Sequence, residues 1–212
     1  MKLKALWNEW KYAFYVMTHP FDGFWDLKHE KRGSMRAAHL HVILMVIVLV
    51  CKRQLTAFLF NQNDLLSFNP FSAVGNAFLP FIMWVVANWC FTTLMDGEGT
   101  LKDVYIASAY ALLPFYLINA VGIVLSYAFT LETGAFYTLI QAIAVVYLGA
   151  LLFFGQLVTH KYSFGKGILT AILTIAGIMV MIYLGLLFCR VVTNITSFVA
   201  SLIYEARIRF VQ

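Results

Sequence analysis

Four long stretches of this 212-residue chain carry no Lys, Arg, Asp or Glu. They comprise 31 residues between Asp64 and Asp96, 28 between Asp103 and Glu132, 28 between Glu132 and Lys161, and 23 between Lys166 and Arg190. A helix needs about 20 apolar residues to cross a bilayer core of roughly 30 Å, so each stretch can span a membrane. These stretches, in a chain with 62% apolar and only 12% charged residues, exclude a soluble enzyme, a secreted domain and a nucleic-acid-binding protein.

A further span, the first along the chain, is predicted over residues 37–51, which give only 15 charge-free positions. This length suffices if Arg36 and Lys52 extend their charged ends to the membrane surface. With five spans, ten Lys and Arg residues lie on the cytoplasmic side and five outside. If 37–51 does not cross, four spans remain and the division is 12 to 3. Both alternatives put the N-terminus in the cytoplasm, and the five-span alternative puts residue 212 outside.

The N-terminal residues predict helices that lie in the membrane interface. Residues 2–17 put apolar side chains on one helical face and lysines on the other, and residues 20–28 repeat aromatic residues at helical spacing. The same faces would fit equally well against the protein's own spans. The predicted interface residues are Trp7, Trp10, Phe14, Phe21, Phe24 and Trp25.

Together these patterns predict an all-α fold, a polytopic membrane bundle of five spans with amphipathic interfacial helices at both termini. The predicted divisions are cytoplasmic interfacial helices at 1–33, a five-span membrane domain at 34–190 and a C-terminal amphipathic helix at 191–212. Ser34 is predicted to cap the first span. We expect a multi-pass protein of the cell membrane.

One acidic group lies between two spans. Asp96, Glu98 and Asp103 have a spacing that suggests a divalent-cation loop, although the full ligand set of a calcium loop is lacking. The interpretation we favour is structural: Gly97 and Gly99 end one helix, and Thr100-x-x-Asp103 forms a capping box that starts the next. We call residues 96–103 the acidic turn.

No pattern in the chain predicts a metal site, a cofactor or catalysis. His39 and His41 are two residues apart, so on a helix they point about 200° apart and do not share an ion easily. The chain contains neither a His-Glu-x-x-His motif nor a Gly-x-Ser-x-Gly elbow. We therefore predict that the protein is not an enzyme.

The predicted spans contain a few uncharged polar residues. They are Asn76, Asn88, Asn119, Gln141 and Gln156. Hydrogen bonding between helices is the role we favour, because transporters usually place ionisable groups on their pathway. The alternative is a cavity lined by Asn and Gln that binds a neutral solute.

Short motifs resemble the Yip family of Ypt/Rab-interacting proteins, in its prokaryotic branch. Asn88-Trp89-Cys90 precedes the acidic turn, and Ala109-Tyr110-x-x-x-Pro114 stands where the family has Gly-Tyr-x-x-x-Pro. His19-Pro20-Phe21 also resembles prokaryotic members, whereas the Asp-Leu-Tyr-Gly-Pro motif is missing. The resemblance implies five spans, a cytoplasmic N-terminus, no catalysis and at most an accessory role, for example beside ABC transporters.

These observations favour a non-enzymatic membrane scaffold or accessory subunit, with a small permease or transporter subunit for a neutral solute as the alternative. The expected partners are the lipid bilayer and other membrane-protein subunits, ABC transporter components among them, and no nucleic acid. We expect docking on the cytoplasmic face, where a basic hinge and the acidic turn would pair. The hinge residues are Lys28, Lys31, Arg32 and Arg36, and the acidic residues are Asp96, Glu98 and Asp103. Alternatively, the hinge meets anionic lipid while the turn stays solvated.

Overall fold

The computed structural model describes residues 2–61 and 68–211, and this part of the chain is helical with connecting turns. Its seven helices are α1 Lys2–Thr18, α2 Pro20–His29, α3 Met35–Leu55, α4 Pro70–Leu94, α5 Leu101–Leu125, α6 Gly134–His160 and α7 Phe164–Val211. Five of them, α3 to α7, are long and apolar enough to cross a membrane. The predicted class, an all-helical membrane protein with five candidate spans, is confirmed.

The uncertain first span is longer than its charge-free run. Helix α3 has 21 residues, because it includes Arg36 near its start and Lys52 and Arg53 near its end. The side chain of Ser34 accepts a hydrogen bond from the Ala37 amide at 3.2 Å and caps the helix as predicted. The Nζ of Lys52 does not simply extend to the surface: it donates to Asn119 of α5 and Gln141 of α6.

The chain forms two compact units, residues 1–174 and residues 175–212. Helix α5 is the centre of the first unit and contacts α1, α2, α3, α4 and α6. Its middle is fully buried at Ala109, Tyr110, Ala111 and Leu113. This burial accounts for the small side chains, which let neighbouring helices approach α5 closely.

The second unit consists of the later part of α7. We expected the fifth span to end near residue 189 and a separate helix to begin after Arg190, but the helix continues through this point. Since no Gly or Pro lies between residues 186 and 211, nothing in the backbone chemistry ends the helix there. Residue 212, which we expected outside the cell, is not among the described residues.

The N-terminal helix α1 packs against α2, α3 and α5. Ala13 and Val16 are fully buried, and two tyrosine hydroxyls donate to its backbone, Tyr110 to the Glu9 oxygen at 3.1 Å and Tyr147 to the Met17 oxygen at 2.9 Å. Packing against the spans therefore accounts for one face of this amphipathic helix. The other face keeps Trp7 53% exposed.

The predicted interface residues divide into two groups. Phe14, Phe21 and Trp25 are exposed like Trp7, as residues facing lipid would be, whereas Trp10 is half-buried and stacks on His41. Phe24 corrects the prediction, because it is 1% exposed and its ring lies against Gly155 of α6. The glycine leaves room on α6 that one aromatic ring of α2 fills.

Candidate functional site

The acidic turn begins with a close connection between α4 and α5. The amide of Gly97 donates to the carbonyl oxygen of Thr92 at 2.8 Å, as in a Schellman ending of a helix. Asp96, with φ at 55°, is the residue that takes the left-handed conformation there. We expected the glycines to end the helix, and this detail is corrected: no described glycine has positive φ.

Gly97 and Gly99 instead allow a close approach to the loop that follows α6. A Cβ on Gly97 would lie 2.4 Å from His160 Nδ1 and 2.6 Å from Tyr162 Oη. A Cβ on Gly99 would lie 2.6 Å from His160 Cε1. Real Cβ atoms do not approach other heavy atoms this closely, so only glycine fits at these two positions without a shift.

Two side chains at the end of α6, one on its last residue and one in the loop that follows, hold the turn through hydrogen bonds. The Gly99 amide donates to His160 Nδ1 at 3.2 Å. The hydroxyl of Tyr162 lies 2.9 Å from the Thr92 oxygen and 3.2 Å from the Met95 oxygen, two backbone carbonyls at the end of α4. Burial raises the pKa of this hydroxyl, which therefore stays protonated and donates at neutral pH.

Sequence reasoning missed His160 and Tyr162. The available signal was topological: in an antiparallel bundle the loop after α6 lies at the same end as the connection between α4 and α5. Neither residue belongs to a motif, so the sequence pattern provides no reason to pair them with glycines some 60 positions away.

The charged part of the site centres on Glu98. Its Oε2 lies 2.7 Å from Lys161 Nζ and 3.9 Å from Lys28 Nζ. The Lys28 ammonium also donates to the Thr159 oxygen at 2.7 Å, where a cation is favoured by the C-terminal end of α6. The Lys28 side chain is 15% exposed and that of Glu98 is 55% exposed, so one acid is held in place while remaining accessible.

The structure joins only one residue of the basic hinge to the acidic turn, namely Lys28. Arg32 pairs with Glu30 at 2.6 Å and with Asp26 at 3.4 Å, both near it in sequence. Lys31 and Arg36 are exposed and form no ion pair within the part of the chain that the structure describes.

The three acidic residues of the turn have different environments. Asp103 is held in the predicted capping box with Thr100, which is present, while Asp96 and Glu98 are exposed. Over residues 2–61 and 68–211, no group of three His, Cys, Asp or Glu side chains is arranged to hold a metal ion. The geometry of the turn thus corresponds to the capping interpretation.

Beneath the turn, polar side chains connect three helices. Asn88 Nδ2 of α4 donates to Gln156 Oε1 of α6 at 2.8 Å, and Gln156 Nε2 lies 3.4 Å from the Gly167 oxygen in the first part of α7. A cavity of about 10 Å³ adjoins these side chains and His160, and it holds one water at most. Asn88 and Gln156 therefore act as interhelical hydrogen-bonding groups.

The other polar residues of the spans and the motif residues are placed as follows. Asn119 and Gln141 accept from Lys52, and Asn76 contacts Ser72 within α4. Of the motif residues, Tyr110 and Pro114 are buried in α5, and Trp89 is exposed on α4.

The pairing of Glu98 predicts a pH dependence. The hydrogen bond from Lys161 and the charges of Lys161 and Lys28 lower the pKa of the Glu98 carboxyl. A carboxyl with a lowered folded-state pKa stabilises the fold above its unfolded pKa of about 4.3, and this contribution is lost as pH falls through the folded value. We expect a carboxyl-resolved NMR titration to find a higher pKa for Glu98 in Lys161→Met than in the unmodified protein. Equal values would show that the ion pair does not form.

The sequence model of the Yip1 domain matches residues 14–204 of this chain. This range includes α2 to α6, the acidic turn, residues 14–18 at the end of α1 and most of α7. No curated protein and no solved structure matches the chain.

Proposed function

Since this chain belongs to the Yip1 domain family, we propose that it is a non-enzymatic scaffold or accessory subunit of a membrane complex. The acidic turn is the surface on which the partner docks. The observation that carries this proposal is an accessible carboxylate, Glu98, which is paired with Lys28 at the end of α2 and Lys161 at the end of α6.

The fixed position of the turn supports a docking role. Its two glycines pack on His160, Tyr162 bonds the last carbonyls of α4, and the capping box starts α5. A surface that is ordered before binding loses less conformational entropy when a partner docks. The adjacent Asp96 is exposed as well, so the partner segment that fits best carries basic residues.

We further propose that this end of the protein faces the cytoplasm from the cell membrane. Seven of the 15 Lys and Arg residues precede residue 37, and the contact between Lys28 and Glu98 puts that segment and the turn at one end of the first unit. The partner is then a subunit reached from the cytoplasm, and the ATPase components of ABC transporters are the class that we propose.

Charge reversal at the turn tests the docking proposal. We expect the double variant Asp96→Lys and Glu98→Lys to reduce recovery of partner subunits at least tenfold in quantitative affinity purification from native membranes. The matched control is Glu132→Lys, which makes the same type of change at an exposed site between α5 and α6. Equal recovery from both variants would contradict the proposal.

A second variant separates docking from the internal ion pair. Glu98→Lys combined with Lys161→Glu rebuilds the pair with its charges exchanged. If the partner contacts the carboxylate of Glu98 directly, recovery of partner subunits stays low in this variant. Full recovery would show that the turn acts only through its internal pairing. If the unmodified protein purifies without any partner and reconstituted vesicles show solute flux, the protein is a permease instead.

A further inference from the structure

A second polar site lies at the other end of α5, where α3 ends. The Tyr127 hydroxyl donates to the Leu55 oxygen at 2.7 Å, and the Ala57 amide donates to Ser126 Oγ at 2.9 Å, so the ends of α3 and α5 are joined. A cavity of about 220 Å³ opens beside them. At about 30 Å³ per water molecule, this volume is enough for a small tetrahedral anion with some of its hydration.

The charged residues lining this cavity are both cations. Lys52 and Arg53 line it together with Thr56, whose hydroxyl donates to the Lys52 carbonyl oxygen at 2.6 Å, and Tyr137, which supplies a phenolic hydroxyl. None of the ion pairs among the described residues involves Lys52 or Arg53. Two adjacent positive charges at a cavity with a tyrosine hydroxyl are the chemistry that binds an oxyanion.

Lys52 is held in position by neutral groups. Its Nζ donates to Asn119 Oδ1 at 2.7 Å and to Gln141 Oε1, while Asn119 Nδ2 donates to the Phe115 oxygen at 2.7 Å. These amides orient the ammonium but do not neutralise it. Because both contacts of this half-buried ammonium are neutral, its positive charge remains available to an anionic ligand.

The depth of the cavity indicates where the anion comes from. Lys52 lies three residues before the end of α3, which corresponds to about 4.5 Å along the helix axis. That is the level of the lipid headgroups if α3 crosses the bilayer. We propose that the cavity binds a phosphate group, carried by a phospholipid headgroup or supplied as free phosphate.

A simpler account would use local contacts alone. Cations are favoured at the C-terminal end of a helix, and the Arg53 guanidinium lies 6.0 Å from the Phe68 ring. Each of these contacts accounts for the position of a single cation. They do not account for the two amides on different helices that hold Lys52, a residue that lines the cavity together with a second cation.

The test compares lipid binding by the purified full-length protein. Native mass spectrometry with added phosphatidylglycerol should detect a bound lipid in the unmodified protein and in the control Lys102→Gln, which removes an exposed lysine at the other end of α5. Lys52→Gln and Arg53→Gln should each weaken binding about tenfold or more, as expected when one charge-assisted hydrogen bond is lost. Equal weakening in the control would overturn the proposal.

Equilibrium dialysis with labelled inorganic phosphate identifies the source. Binding of phosphate without lipid, lost in Lys52→Gln, would assign the site to the free anion. Binding of phosphatidylglycerol alone would assign it to the lipid headgroup. If thermal unfolding shows that Lys52→Gln is misfolded, the comparison uses Arg53→Gln. If the unmodified protein binds neither phosphatidylglycerol nor inorganic phosphate, the proposal is overturned.

Discussion

Replacing Tyr110 with alanine should lower the free energy of unfolding by about 3–5 kcal/mol, the usual cost of truncating a large buried aromatic side chain. Tyr110 is 0% exposed in the middle of α5, and its ring centroid lies 4.9 Å from that of His41 on α3. Gly33 before α3 also approaches the ring closely. A cavity at this position would separate the N-terminal segment from the central helix.

Two companion variants make the Tyr110 prediction specific. Tyr110→Phe keeps the ring and removes only the hydroxyl that donates to the Glu9 oxygen, so we expect a loss of about 0.5–1.5 kcal/mol. Tyr183→Ala removes an exposed tyrosine from the second unit and should change stability little. Denaturant unfolding in detergent micelles measures all three, and equal effects of Tyr110→Ala and Tyr183→Ala would contradict the central role of α5.

Gly97→Ala should destabilise the protein by about 1–3 kcal/mol, as overpacking does in other tightly packed sites. The added methyl group would lie 2.4 Å from His160 Nδ1 and 2.8 Å from the Thr92 backbone oxygen. The backbone atom cannot move aside as the end of a side chain can. We therefore expect the turn to leave the loop after α6 and the ion pair of Glu98 with Lys161 to weaken.

Gly149→Ala is a matched control, because the same substitution is expected to change stability in the opposite direction. Apart from the adjoining backbone of α6, no atom lies within 4 Å of the Cβ position at Gly149, which lies within that helix. Alanine there should stabilise the helix by about 0.5–1 kcal/mol, because glycine is unfavourable inside a helix. Thermal unfolding measures both variants, and a Gly97→Ala protein as stable as the unmodified one would show that the turn does not pack on His160.

The features that depend on neighbouring residues in sequence could be predicted. The charge-free stretches, the Ser34 cap and the capping box of Thr100 and Asp103 each follow from spacing alone. The residue that takes the left-handed conformation at the end of α4 could not be predicted, because Asp and Gly both tolerate that conformation. Asp96 takes it, whereas Gly97 is required for its close approach to His160.

The features that depend on distant residues were not predictable from one sequence. Phe24 has the spacing of an interface residue, and only the space above Gly155 shows that it is buried. Lys52 looked like a flanking charge, although Asn119 and Gln141 lie on two other helices and bind it. His160 and Tyr162 could not be identified for the same reason. The residues that they contact come before α5 in the chain, whereas His160 and Tyr162 come after it.

The hydrogen bonds that hold α1 have a consequence for how this segment tolerates substitution. Tyr110 and Tyr147 donate to main-chain oxygens at Glu9 and Met17, which every amino acid provides. These two hydrogen bonds position α1 along α5 and α6 whatever its own side chains are, while Glu9, Trp10 and Tyr12 add side-chain contacts. Its exposed outward residues, such as Trp7 and Phe14, could be exchanged for another set, which would give the same membrane bundle a different surface and so a different binding specificity.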